Sequence, residues 1–274
     1  MQKKLKLLDL FCGAGGASMG YHLAGFEVVG VDLYSQPNYP FRFVWADAMT
    51  YPLDGFDVVV GSPPCPGYSK ATAFHASART RHPLLIGPLR ERFEASGLPY
   101  VIENVEGAPL HDPLLLCGTM FGLRSIRHRL FESNIPLIAP HHPDLCTEHL
   151  VKCAGPAAIP QGYEYWSIGG HFGQKDRAQR EGLGIDWMMT VGEIKNAIPP
   201  AYTRWIGVQL MQWIISRWKT QVLLCEAGCG RPAKAPVHAG RPGRFCSDTC
   251  RKRAHKNYLK QVTKLPEGDE IIHL

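Results

Sequence analysis

No apolar run in this chain of 274 residues approaches the roughly 20 residues that a membrane-spanning helix needs. The N-terminal sequence MQKKLKLLDLFCG also lacks a long apolar segment followed by a small-residue cleavage site. Internal repeats and low-complexity tracts are absent from the sequence as well. We therefore expect a soluble, monomeric, cytoplasmic protein with no membrane partner.

Cysteine is present but does not suit a disulfide framework, because nine cysteines are an odd number and are unevenly spaced. This usage fits a reducing compartment with metal-bound and functional thiols. The hydrophobic content of 45% predicts one large domain plus a smaller addition. Acidic residues are scarce between Lys219 and Lys264, a stretch that contains six lysines and five arginines but only two acidic residues. This stretch is either a nucleic-acid contact or a solvated tail.

Five short apolar runs alternate with helical patterns in the first part of the chain. They span residues 5–10, 27–32, 41–47, 56–62 and 99–105, and are typical of buried parallel strands. A helix is predicted within residues 83–97, with a break left open at its Gly-Pro pair. The alternation predicts a doubly wound α/β sheet that binds ligands at the carboxyl ends of its strands.

The periodicity disappears from about Asn134 to Asp186, and a long apolar helix is predicted at 201–218. We therefore divide the chain into a main domain of residues 1–133, a loop-rich segment 134–186, a return to the main domain at 187–218 and a basic tail 219–274.

Glycines and acids at the strand ends predict a ligand site. Gly13, Gly15 and Gly16 follow the first strand, where bare backbone lets a ligand lie against a helix N-terminus. Ser18 occupies the position at which a dinucleotide fingerprint needs glycine, which disfavours nicotinamide and flavin cofactors. After the next strands, Asp32 suits ribose hydroxyls and Asp47 an adenine amino group, although either acid is also an ordinary turn former.

The stretch GSPPCPGYSKA, residues 61–71, places a lone thiol at the exit of a buried strand. Its prolines fix φ and hold Cys65 in stiff backbone. The thiol is either a nucleophile or a buried structural cysteine.

Five sequence blocks, in order, resemble the signature of the cytosine-5 methyltransferases, in the compact form of phage and prophage DNA methylases. They are DLFCGAGGAS, PPCPGYS, IENV, RHRLF and AIPPAYTRWIG. The resemblance implies a Rossmann-like sheet dependent on S-adenosylmethionine and methyl transfer to carbon 5 of a flipped cytosine in double-stranded DNA. It also implies a bacterial or phage-infected cell and leaves open a companion restriction endonuclease.

The same resemblance assigns catalytic roles. Cys65 would add to carbon 6 of cytosine, Glu103 would hydrogen-bond the ring nitrogen and exocyclic amine, and Arg129 would contact the carbonyl oxygen. Arg127 would support the loop that carries Cys65, and we expect both arginines on one face of a strand. Ser125 and Pro66 depart from the family, which commonly has glutamine at both positions.

For the methyl donor, the resemblance implies contacts from Phe11 to adenine and from Asn196 to the methionine carboxylate, in addition to the glycine loop and the two acids. Phe11 also suits simple core packing. Residues 67–82 would close over the flipped cytosine. Segment 134–186 would recognise the target, with Lys175, Arg177 and Arg180 as candidate DNA contacts.

Two groups of thiols and imidazoles suggest metal binding. The paired spacings of Cys225, Cys229, Cys246 and Cys250 predict a zinc site in the tail, with His238 as a substitute ligand. This module would bind the duplex backbone. A second group pairs poorly and favours an ordinary loop, and it comprises His141, His142, Cys146, His149 and Cys153.

Two alternative functions remain open from the sequence. An RNA cytosine-5 methyltransferase would have the same fold. A catalytically silent DNA-binding protein would also have this fold but would not catalyse methyl transfer. The basic tail favours duplex DNA, and the joint presence of Cys65, Glu103 and Arg129 favours an enzyme.

Overall fold

The computed structural model describes residues 4–68, 83–143, 166–167, 176–188, 190–220, 227, 229 and 245–262. The strands in these ranges are β1 (Lys6–Leu10), β2 (Glu27–Asp32), β3 (Arg42–Trp45), β4 (Val58–Gly61), β5 (Tyr100–Asn104), β6 (Leu114–Leu116), β7 (Ser125–Ile126), β8 (Arg129–Ser133) and β9 (Trp166–Ser167). The helices are α1 (Gly16–Leu23), α2 (Ile86–Ser96), α3 (Asp176–Leu183), α4 (Val191–Asn196), α5 (Pro200–Thr220) and α6 (Asp248–Val262). Residues 4–213 form one compact unit, and residues 214–274 belong to a second.

Seven strands form one sheet in the order β3-β2-β1-β4-β5-β8-β6. The strands β1 to β5 run parallel, whereas β8 runs antiparallel to both of its neighbours. The direction of winding reverses between β1 and β4, so the loops after these strands open a crevice at the carboxyl edge. The prediction of a doubly wound α/β sheet is confirmed.

The central strands carry apolar side chains on both faces, as parallel strands covered by helices require. On one face, core residues such as Leu8 and Val59 pack with Leu89 and Phe93 of α2. On the other face, Val60 lines a small cavity together with residues of α1 and α5. Burial of each such side chain contributes about 1.5–3 kcal/mol.

The helix α2 is unbroken at the Gly-Pro pair where the sequence left a break open. It begins at Ile86, so Gly87 and Pro88 lie in its first turn. A proline is tolerated there because the first-turn N–H groups have no intrahelical partner.

The helices α1 and α5 cross closely at Gly20. A Cβ atom added to Gly20 would overlap Thr203 Oγ1 and the Pro200 carbonyl oxygen. Thr203 Oγ1 also donates to the Ala17 carbonyl oxygen at 2.8 Å. This crossing fixes the helix that follows the glycine loop against the start of α5.

The expectation that Arg127 and Arg129 share one face of a strand was wrong. β7 ends at Ile126 and β8 begins at Arg129. The chain changes partners here, because β7 pairs with β9 in a separate two-stranded sheet whereas β8 joins the main sheet. Arg127 therefore lies between two strands.

The segment 134–186 is less irregular than the sequence predicts, since it contains β9 and α3. The sequence of α3, DRAQREGL, has Ala178 and Leu183 as its apolar side chains, and Leu183, its last residue, is fully buried. Residues 144–165 and 168–175 lie outside the described residues. No helix in the described ranges is long and apolar enough to cross a membrane.

Candidate active site

The carboxyl edge of the sheet collects most of the residues that the sequence singled out. The register pairs Leu10 at the end of β1 with Val31 of β2 on one side and with Gly61 of β4 on the other. The glycine loop, Asp32 and the segment that carries Cys65 therefore start from neighbouring strand ends.

Cys65 follows β4 in a tight turn, in which the Tyr68 N–H donates to the Cys65 carbonyl oxygen at 2.9 Å. The side-chain amide of Asn104, at the end of β5, donates to the Pro63 carbonyl oxygen at 2.9 Å. This bond fastens the proline-rich segment to the neighbouring strand. The thiol is half-buried, so it lies at the edge rather than in the core.

Glu103 and Arg129 form an ion pair beside this segment, with 3.1 Å between Arg129 Nε and Glu103 Oε1. Glu103 pairs with Phe131 in the antiparallel ladder, so β8 begins at the edge where β5 ends. Burial raises the pKa of Glu103, and Arg129 and Arg127 offset only part of the rise. The carboxyl group therefore holds a proton more readily than an exposed glutamate does.

Arg127 is buried and anchored by the backbone of other elements. Its Nη2 donates to the Lys195 carbonyl oxygen at 2.6 Å, and the Tyr202 hydroxyl donates to the Arg127 carbonyl oxygen at 2.7 Å. Burial, together with the charge of Arg129, lowers the pKa of Arg127 to about 9, so the side chain remains charged at neutral pH. Support of the Cys65 loop by Arg127 stays a prediction.

We expect alkylation of Cys65 by iodoacetamide to accelerate about tenfold per pH unit between about pH 7 and pH 9, because only the thiolate reacts. Burial raises the pKa of the Cys65 thiol, Arg129 lowers it and Glu103 raises it. Below a raised pKa, the thiolate fraction grows with pH without reaching a plateau. Arg129→Met should slow alkylation about threefold to tenfold at fixed pH, because it removes a nearby positive charge. Mass spectrometry of the Cys65 peptide measures the rate.

The matched control for this prediction is Arg124→Met, since Arg124 is exposed and lies just before β7. It should leave the alkylation rate unchanged. A rate that levels off below pH 8, or faster alkylation of Arg129→Met than of the wild type, would contradict the electrostatic assignment.

The glycine loop takes a conformation that glycine adopts easily, with φ of 49° at Gly13 and 87° at Gly15. A Cβ atom at Gly16 would lie 2.5 Å from the Ile198 carbonyl oxygen, so the loop packs directly on the segment after α4. Trp187 Nε1 donates to the Ala14 carbonyl oxygen at 3.0 Å. Asn196, exposed at the end of α4, directly precedes Ala197, which packs in one cluster with Ala14 of the loop.

Asp32 ends β2, as predicted, and both of its carboxylate oxygens accept backbone N–H groups. Oδ2 accepts from Gly13 and Oδ1 from Tyr34, each at 2.9 Å. Each oxygen keeps a further lone pair for a ligand hydroxyl. Asp47, by contrast, does not end β3, which stops at Trp45. Its carboxylate is exposed and accepts the Met49 N–H at 2.8 Å.

Apolar side chains flank these acids, and two of them were missed in the sequence. Leu33 is 57% exposed and Trp45 is 72% exposed. Trp45 pairs with Asp32 across β2 and β3, and its Nε1 donates to the Leu33 carbonyl oxygen at 2.8 Å. Phe11 is half-buried against the core cluster and has a φ of 59°. The only feature of the sequence that could have pointed to Leu33 and Trp45 is their position next to the ends of predicted strands.

A buried polar chain under the glycine loop was also missed. The Ser18 hydroxyl donates to the Asp9 carboxylate and lies 2.8 Å from the Tyr39 hydroxyl. Burial raises the pKa of Asp9 to about 7. The signal in the sequence was an acid flanked by leucines within β1. Cys12 is buried nearby.

Ser125 stands where the cytosine-5 methyltransferases commonly have glutamine, and this difference has a steric explanation. Ser125 is fully buried, and a Cβ atom added to Gly118 would overlap its carbonyl oxygen. The 3₁₀ turn Gly118–Phe121 thus approaches β7 too closely for a glutamine side chain at position 125.

Three of the four predicted tail cysteines lie together. Cys246 Sγ lies 3.5 Å from both Cys229 Sγ and Cys250 Sγ. Cys225 lies outside the described residues, as do His238, Lys175 and residues 69–82 of the predicted closing loop. The backbone of Arg177 and Arg180 is placed on α3.

An open sheet with a glycine loop after β1 and a cysteine segment after β4 has the architecture of the S-adenosylmethionine-dependent methyltransferases. A solved structure of an E. coli prophage protein, described as a DNA modification methyltransferase, shares this fold with a TM-score of 0.55. The similarity covers 77% of this chain and all of that one at 14% sequence identity.

Residues 5–113 match the family of C-5 cytosine-specific DNA methylases. The match contains the first three of the five sequence blocks, and the resemblance to this family is confirmed over these residues. The Type II methyltransferase M.FnuDI of Fusobacterium nucleatum is 28% identical over 113 residues, which are 38% of this chain and 33% of that protein. M.AquIA of Picosynechococcus is 32% identical over 122 residues, which are 37% of this chain and 49% of that protein. The chain thus matches half or less of the length of these relatives.

Proposed function

We propose that this protein is a DNA (cytosine-5-)-methyltransferase that uses S-adenosylmethionine. The observation that carries the proposal is the half-buried Cys65 thiol at the same sheet edge as the buried Glu103–Arg129 pair. The match of residues 5–113 to the C-5 cytosine-specific DNA methylases supports the same proposal.

The residues of the crevice fit the methyl donor. A Cβ atom added to Gly13 would meet no other group within 4 Å, so the loop leaves open space above its backbone. Asp32 would accept the ribose hydroxyls, Asp47 the adenine amino group, and the apolar surface of Leu33 would adjoin the adenine. Phe11 and Asn196 complete the set that the sequence assigns to the donor. When bound, S-adenosylmethionine supplies an electrophilic methyl group.

The side chains at the edge suit activation of cytosine. The Cys65 thiolate forms a bond to carbon 6, and the electron pair of the carbon 5–carbon 6 double bond moves toward the ring nitrogen. Glu103, whose pKa is raised by burial, donates its proton to that nitrogen. Arg129 holds the carbonyl oxygen and keeps Glu103 in place. When carbon 5 later loses its proton to a base, the sulfur–carbon 6 bond breaks, the thiolate leaves and the ring nitrogen returns its proton to Glu103.

Basic elements outside the crevice support DNA as the substrate. Arg251, Lys252, Arg253 and Lys256 are exposed on α6. Arg253 Nη2 donates to the Ala227 carbonyl oxygen at 2.8 Å, which ties α6 to the part of the tail near Cys229. We propose that a zinc ion held by Cys225, Cys229, Cys246 and Cys250 orders this module for contact with DNA phosphates. Segment 134–186 would select the target sequence.

The names of the relatives suggest the biological setting. M.FnuDI and M.AquIA are called Type II methyltransferases. We propose that this chain acts in the cytoplasm of a bacterial or phage-infected cell and modifies DNA there, with a companion restriction endonuclease as a candidate partner.

The test combines a methyl-transfer assay with covalent trapping. The full chain is incubated with radiolabelled S-adenosylmethionine and unmethylated genomic DNA, and then with total RNA of the same organism. We expect 5-methylcytosine in DNA only. Substrate DNA carrying 5-fluorocytosine should attach covalently to Cys65, because the carbon 5 fluorine blocks the final elimination.

Three results separate the alternatives. Methylation of RNA but not DNA would show that the substrate is RNA. DNA binding without any methyl transfer would show a DNA-binding protein without enzymatic activity. Methyl transfer without a trapped Cys65 adduct would reject the mechanism in which Cys65 bonds to carbon 6.

A further inference from the structure

A second group of metal-type ligands lies away from the tail, next to the segment that carries the two active-site arginines. Cys117, His128 and His142 offer three donor atoms that all lie within 4.8 Å of one another. They come from three separate places in the chain: the end of β6, the junction between β7 and β8, and the segment after β8. The fold therefore assembles this group, and no short sequence spacing predicts it.

The two imidazoles leave nitrogen atoms buried at the centre of the group. Nε2 of His128 and Nε2 of His142 are both buried. The two rings are 5.6 Å apart at an interplanar angle of 62°. Both imidazole side chains hydrogen-bond the Cys117 side chain, so the three donor groups converge on one another. Groups that converge in this way can exchange these contacts for bonds to one ion.

The surroundings of His128 and Cys117 match those of metal ligands. Glu106 Oε2 lies 3.3 Å from His128 Nδ1, which holds the ring with Nε2 facing inward. Carboxylates commonly orient metal-bound histidines in this way. The Cys117 side chain accepts the Met120 N–H at the start of the 3₁₀ turn, a bond that fixes the sulfur.

We propose that Cys117, His128 and His142 bind a zinc ion. One sulfur and two imidazole nitrogens are a common zinc donor set, and donors around one tetrahedral ion are about 3.5 Å apart. Small rotations of the three side chains would close the present separations to that value. The fourth position is left for water or another donor.

The ion would position the arginines without contacting the substrate. His128 lies between Arg127 and Arg129, at the point where the chain passes from one sheet to the other. A metal bound there would tie this junction to β6 and to the segment after β8. This role is independent of the reaction that the arginines serve.

The test is the zinc content of the purified full chain, measured by mass spectrometry after dialysis against metal-free buffer. His142→Asn should contain one zinc equivalent per chain less than the wild type. The matched control is His141→Asn, because the neighbouring His141 is exposed and belongs to no group of ligands in the described residues. It should keep the wild-type zinc content. The difference between these two variants is unaffected by any zinc in the tail.

Cobalt substitution gives a second measurement. Cys117→Ser should lose the part of the thiolate-to-cobalt absorption that His142→Asn also loses, and circular dichroism shows whether each variant is folded. Equal zinc contents in His141→Asn and His142→Asn would overturn the proposal whether or not the chain methylates DNA.

Discussion

Replacement of Cys65 by alanine is expected to abolish methyl transfer, with a loss of at least about 10⁴-fold. The nucleophile disappears, and the neighbouring thiols in sequence, Cys12 and Cys117, are both buried. The same variant should no longer form the covalent adduct with 5-fluorocytosine DNA. Its affinity for S-adenosylhomocysteine, measured by calorimetry, should stay within about twofold of the wild type, because Cys65 is not among the residues assigned to the donor.

Cys65→Ser distinguishes loss of chemistry from loss of structure. Serine keeps the size of the side chain and the hydrogen bonds of the turn, but its hydroxyl is a far weaker nucleophile. It should lose activity as completely as the alanine variant. Wild-type transfer by either variant would reject the proposed mechanism.

Replacement of Glu103 by glutamine is expected to lower kcat/KM by about 10²–10⁴-fold. Glutamine preserves the size and can still accept from Arg129, but it has no proton to give to the ring nitrogen. The pH profile should change as well. The pKa values of Glu103 and Cys65 are both raised. At pH values between the pKa of Glu103 and the pKa of Cys65, a rising pH supplies thiolate and removes protonated carboxyl together, so the wild-type rate stays nearly flat. The variant should instead accelerate with pH over that interval.

Glu94→Gln is the matched control, since Glu94 is exposed on α2. Its stability should stay within about 0.5 kcal/mol of the wild type, and its pH profile should remain flat. A Glu103→Gln variant with a flat profile and activity within about threefold of the wild type would remove Glu103 from the mechanism.

The parallel part of the sheet was predictable because its pattern is local. Strands covered on both faces are uninterrupted apolar runs, and β2 occupies the residues that the sequence predicts. The ends of these strands also place Cys65 and Asp32, since parallel strands present their carboxyl ends on one edge. Catalytic residues that follow strands directly can therefore be located from the sequence.

Features made by distant parts of the chain were not predictable. Ser18 and Tyr39 meet through a buried hydrogen bond although neither shows a pattern in the sequence. The strand break before Arg129 depends on pairing with β9, which lies about forty residues further along the chain. Likewise, His142 was assigned to an ordinary loop group, because its partners Cys117 and His128 come from other elements.

The antiparallel pairing of β5 with β8 has a consequence for how this chain tolerates insertions and deletions. The separation between the Glu103 carboxyl and the Arg129 guanidinium is set by ladder register, which pairs Glu103 with Phe131. The chain between the two strands does not set it. Insertions or deletions in that connection would therefore leave the spacing of the two groups intact, whereas a slip of β8 by one residue would turn Arg129 to the face of the sheet opposite Glu103.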